Sequence, residues 1–100
     1  MKLIYDNITR LRELCKRYNV HKLYVFGSIL TNRFNETSDV DLLVNFNSKI
    51  DHNNYADNYF DFFYALKALF NREVDLVDNT SIRNKYFRQE VDETKQLIYG

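Results

Sequence analysis

The chain has 100 residues, the size of one domain around a single core, and folding at that length buries roughly two thirds of the unfolded surface. Hydrophobic residues make up 45% of it and aromatics 16%, which excludes disorder through shortage of apolar surface. Fourteen Lys and Arg balance fourteen Asp and Glu, so no net field draws the chain onto nucleic acid or an anionic membrane.

From Lys2 onward charges interrupt the apolar residues, unlike the core of a signal peptide, and no stretch approaches the ~20 apolar residues that span a bilayer. A soluble, cytoplasmic protein is expected. Ile4, Ile8, Leu11, Leu14, Cys15 and Tyr18 keep a three-and-four spacing that predicts one helix ending near Asn19. Cys15 lies on its apolar face and reads as core; as the only cysteine it excludes an internal disulfide or a Cys-cluster metal site and fits a reducing compartment. Residues 22–26 predict a buried strand halted at Gly27, and Ile29, Leu30 and Phe34 suggest a short helix after it. Residues 40–46 are nearly continuously apolar, as in a central strand.

Residues 45–54 are the most polar and loop-like. Tyr55, Tyr59, Phe62, Phe63, Leu66 and Phe70 then predict a second long helix, leaving Phe60 and Leu69 off its main face as candidates for a docking patch. Residues 73–77 alternate as a third strand, with Val74 and Leu76 on one face and Asp75 on the other. Ser81 is expected to cap a last helix running to about Val91, and residues 96–99 to form a brief strand or docked tail. With no proline, linker or repeat, the whole of 1–100 reads as a single α/β domain, a small mixed sheet flanked by helices in the order αβαβαβα. His21 and His52 are isolated, show no paired-ligand spacing, and read as surface residues.

Gly27 is the only glycine besides Gly100, and it stands between a strand and a predicted helix. There it can bring bare backbone near a ligand, with following N–H groups and the Ser28 hydroxyl cradling phosphate oxygens, or it can be an ordinary turn glycine before a capping serine. Asp39 and Asp41, two apart at the entrance of the second strand, send both carboxylates from one face. Like charges held that close make sense around a divalent cation, and hard oxygens beside a phosphate cradle suit magnesium; a solvated acidic strand end is the other reading. Asp75 can join them if the third strand lies beside the second, and three acids could hold two metals; an outward residue on an edge strand is the other reading.

Taken together, Phe26-Gly27-Ser28, ten intervening residues, Asp39-Val40-Asp41-Leu42-Leu43-Val44 and the later Asp75 resemble the signature of the polymerase-beta-like nucleotidyltransferases, in particular their minimal nucleotidyltransferase (MNT) branch. The resemblance implies a nucleotidyltransferase fold and a magnesium-dependent enzyme in which Gly27 and Ser28 contact the triphosphate of ATP and Asp39, Asp41 and Asp75 bind two Mg²⁺. Where the family often has a basic residue and a glycine, this chain has Thr31 and Asn32 followed by Arg33. Asn32 tolerates a left-handed backbone, and Arg33 can supply a phosphate contact or form an exposed salt bridge. MNT proteins are implicated in toxin–antitoxin pairs, so the resemblance further implies an antitoxin that attaches AMP to a tyrosine of a HEPN ribonuclease partner, with no direct contact to nucleic acid. Transfer to a small molecule, as by aminoglycoside nucleotidyltransferases, and neutralisation of a partner by binding alone are the alternatives.

Overall fold

Asn7 divides the predicted first helix in two. In the computed structural model, which describes Met1 to Gly100, α1 is Lys2–Asp6 and α2 is Ile8–Arg17. The Asn7 side-chain amide donates to the Leu3 carbonyl at 2.8 Å, the acceptor that a continuous helix would give to the Asn7 backbone N–H, and that N–H turns to Ile4 instead. The apolar stripe survives the break, because Ile4, Leu11, Leu14 and Cys15 are all buried. After α2, Asn19 takes a left-handed conformation with φ 62° and redirects the chain into β1, Val20–Phe26, two residues earlier than predicted.

The short helix expected after Gly27 is a single 3₁₀ turn, Gly27–Leu30, with Phe34 beyond it. β2, Val40–Phe46, and α3, Tyr55–Phe70, fall where the apolar patterns put them. Phe62, Leu66 and Phe70 form the buried face of α3. Of the two residues off its main stripe, Phe60 is 52% exposed, whereas Leu69 packs against the core. Left-handed Asn71 ends α3, its N–H donating to the Lys67 carbonyl, and β3 follows as Val74–Asp78.

The last helix begins later than predicted. Ser81 lies in a 3₁₀ turn with its hydroxyl donating to the Asp78 carbonyl, while Asn84 caps α4, Lys85–Thr94, by accepting from the N–H groups of Tyr86 and Phe87 at 2.9 and 3.0 Å. Residues Gln96–Tyr99 form a true strand, β4.

The sheet order is β3-β2-β1-β4, with β1 antiparallel to both β2 and β4 and β2 parallel to β3. The mixed α/β sheet is as expected, and α3 supplies the crossover that the parallel pair requires. One face of the sheet carries Leu23, Val25, Val40, Leu42, Val44, Val74 and Leu76 into the main core, which also takes residues from α1, α2 and α3. Each such side chain, fully buried, contributes about 1.5–3 kcal/mol. The opposite face is covered less completely: Phe26 and Leu43 pack with Val91 of α4, and Val77 and Phe87 border them. No helix is long and apolar enough to cross a membrane.

Candidate functional site

Strand alternation and one parallel register decide which acids meet. β2 pairs with β3 so that Val40 opposes Val74, Asp41 opposes Asp75 and Leu42 opposes Leu76. The two apolar pairs enter the main core, so Asp41 and Asp75 must leave on the other face, the one that α4 partly covers. Asp39 immediately precedes β2 and, two residues from Asp41, shares its direction. The sequence left open whether the third strand would lie beside the second; it does.

The antiparallel neighbour brings in the glycine. Phe26 opposes Asp41, and the chain then turns at Gly27 with φ 75°, in the left-handed region that side chains disfavour. A Cβ at Gly27 would overlap Oδ2 of Asp41 and lie 3.1 Å from its Cγ. Both the backbone angle and the space therefore call for glycine here. Asp41 is held well above the ordinary carboxylate range, its pKa pushed up to about 6 by desolvation first, then by the charges of Asp75 and Asp39, with the Ser28 backbone N–H partly opposing the rise.

None of the three carboxylates has a cationic partner; the acidic sides of the ion pairs are Asp6, Glu13, Glu73 and Asp92. Three acids on one face with no Lys or Arg to neutralise them form a row of hard oxygen donors. The row is open: no three Asp, Glu, His or Cys side chains close into a coordination sphere. It is thus a row and not the cage that gripping two ions unaided would need. Magnesium typically takes one or two carboxylates and completes its octahedron with phosphate and water, so this donor set fits an ion that arrives with a triphosphate.

Beside the row lies a cleft of about 320 Å³, lined by Gly27, Ser28 and Arg33 together with Phe87 and Glu90 of α4. Arg33 is exposed and makes no ion pair, so its guanidinium is free to meet an anion. Asn32 is not left-handed; the asparagines that are, Asn19 and Asn71, lie elsewhere. His21 and His52 are exposed, as expected, and Cys15 is fully buried. The contribution of α4 to the cleft was missed in the sequence, although Phe87, Glu90, Val91 and Thr94 are spaced to share one helical face.

Comparison with known proteins gives a consistent result. The family model described as polymerase beta, nucleotidyltransferase matches residues 9–100. A candidate protein adenylyltransferase of Methanocaldococcus jannaschii is 33% identical over 90 residues, 88% of this chain and 84% of its own length. A second from the same organism is 32% identical over 97 residues, covering 96% and 93% of the two chains. Among solved structures, one of a minimal nucleotidyltransferase superposes with a TM-score of 0.76 at 24% identity, covering 95% of this chain and 92% of the other. The complex of a tri-AMPylated Shewanella oneidensis HEPN toxin with its MNT antitoxin gives 0.66 at 20% identity, covering 96% and 71%. At these identities the two structures establish the likeness of fold.

Proposed function

The chain belongs to the polymerase beta nucleotidyltransferase family, and from that premise we propose that it is a protein adenylyltransferase, transferring AMP from ATP to a tyrosine hydroxyl of a HEPN-type toxin. One observation carries the chemistry: Asp41 and Asp75 are register partners on adjacent strands, beside a glycine at which any side chain would strike Asp41. The protein names of the curated relatives support the choice of adenylyl transfer, and the structural likeness to an MNT antitoxin bound to an AMPylated HEPN toxin supports the choice of acceptor. Unpaired Cys15 agrees with a cytoplasmic setting.

In this reading Asp39, Asp41 and Asp75 hold magnesium, which when bound neutralises triphosphate charge and makes the attacking hydroxyl more acidic. Gly27 gives the Asp41 carboxylate room against the turn, the Ser28 N–H is directed at that carboxylate, and the Ser28 hydroxyl donates to the phosphate oxygens. Arg33 offers a guanidinium across the same cleft. The tyrosine oxygen attacks the α-phosphorus in line, the bond from that phosphorus to the bridging oxygen breaks, and pyrophosphate leaves. Asp75 accepts the hydroxyl proton. Catalysis then rests on positioning and preorganised charge, with no covalent enzyme intermediate.

The test is incubation with Mg²⁺, ATP and a candidate HEPN partner, read by intact mass. Addition of AMP by the parental chain and none by Asp39→Asn is expected. Transfer by Asp39→Asn at the parental rate would refute the acid assignment, and neutralisation of the toxin by Asp39→Asn without transfer would favour action by contact.

A further inference from the structure

Asp39 differs from the other two acids in lying outside a strand; it is exposed, and its carboxylate has no hydrogen-bond or ion-pair partner. Its placement therefore depends on its backbone. The peptide groups on its two sides are both tethered to one dipeptide, Arg72-Glu73, in the turn from α3 into β3. On one side the Ser38 carbonyl accepts from Nη1 of Arg72 at 2.9 Å. On the other the Val40 N–H donates to the Glu73 carbonyl at 3.0 Å.

Arg72 does more than hold that one carbonyl. The same Nη1 donates to the Asn35 carbonyl at 2.9 Å, filling the concave side of the turn formed by residues 35–38. Within that turn the Ser38 N–H donates to the Asn35 carbonyl and the Ser38 hydroxyl accepts from the Asn35 N–H. The guanidinium also lies over the Phe34 ring, 4.8 Å from its centroid. It makes no ion pair, so its hydrogen-bonding capacity is directed at the loop that delivers Asp39.

From this arrangement we infer that Arg72 is a positioning residue for the acid row, fixing Asp39 relative to Asp41 and Asp75 through the peptide preceding it. The inference rests on the magnesium role proposed for these acids. Asp75 follows three residues after Arg72, so one short segment supplies the third acid and locks the first. A planar guanidinium can bridge two carbonyls and stack on an aromatic ring at once; a lysine ammonium can reach a carbonyl but lacks the stacking plane. Groups that orient metal ligands typically change metal affinity or activity about 10- to 100-fold when removed.

The test is Mn²⁺ binding, followed by electron paramagnetic resonance in the presence of a non-hydrolysable ATP analogue, for the parental chain, Arg72→Ala, Arg72→Lys and Arg88→Ala. Arg88 is the comparison because its guanidinium also grips a side-chain and a backbone oxygen, both of Asn79, outside the Asp39 loop. Arg72→Ala is expected to weaken Mn²⁺ binding about 10- to 100-fold, with Arg72→Lys between it and the parental chain and Arg88→Ala unchanged. Hydrogen exchange at the Val40 amide should quicken in both Arg72 variants, a reading that Arg72→Lys provides even if Arg72→Ala does not fold. Parental Mn²⁺ affinity in Arg72→Lys with unchanged Val40 exchange would overturn the inference, as would equal weakening by Arg88→Ala. Absence of Mn²⁺ binding by the parental chain would instead overturn the metal reading beneath it.

Discussion

Replacing Asp41 by Asn should make the metal-free protein more stable at neutral pH. In the folded chain the Asp41 carboxyl is pushed up to about 6, against 3.8 without the surrounding structure. The folded state thus holds this proton more firmly than the unfolded state does. Asp41 costs nothing below about pH 3.8, costs more as pH rises toward 6, and costs a constant amount above that. At about 1.36 kcal/mol per pH unit the full interval corresponds to about 3 kcal/mol, and solvent screening of a half-exposed carboxylate leaves roughly 1–2 kcal/mol. For a chain of this size each kcal/mol moves the melting midpoint by about 4–8 °C. Differential scanning calorimetry without divalent ions should therefore find Asp41→Asn melting several degrees above the parental chain at pH 8, with the gain vanishing toward pH 4. Added Mg²⁺ and a non-hydrolysable ATP analogue should raise the parental midpoint and leave the variant behind. A variant that melts at or below the parental chain at pH 8, or gains equally at pH 4, would refute the account of Asp41 as a desolvated, repelled carboxylate.

Gly27→Ala combines a left-handed backbone with a methyl group forced onto Asp41, so urea denaturation should show a loss of about 1–2 kcal/mol from the backbone term alone, together with loss of AMP transfer. Parental activity in this variant would show that the close approach of Gly27 to Asp41 is dispensable. Cys15 is fully buried, with its thiol pushed up to about 12 by burial, so a thiol reagent at pH 8 should label it only through unfolding, at a rate that climbs with urea. Labelling in native buffer at the rate of a free thiol would contradict that placement.

What could be read from the sequence was what alternation alone determines. The apolar residues of β2 and β3 set both their own burial and, by exclusion, the opposite direction of Asp41 and Asp75. That those two acids stand side by side was not readable, because register between strands separated by a long helix is a tertiary matter. Periodicity was likewise blind to Asn7, whose amide takes a helix acceptor without disturbing the apolar stripe. At α4, Ser81 and Asn84 are both competent caps, and the outcome turned on the Asp78 carbonyl, which engages the Ser81 hydroxyl in a separate turn. Arg72 carried no signal at all: its partners are backbone carbonyls more than thirty positions upstream, which no spacing rule links to it.

The parallel pairing of β2 with β3 leaves the acid row divided between the two sides of one polar surface loop, residues 47–54. Gly27, Ser28, Asp39 and Asp41 lie before that loop, and Asp75 lies after it together with Arg72. Cutting the backbone there would separate the row into pieces that are each chemically incomplete, so that recovery of its function upon mixing would count how many pairs of fragments had found one another.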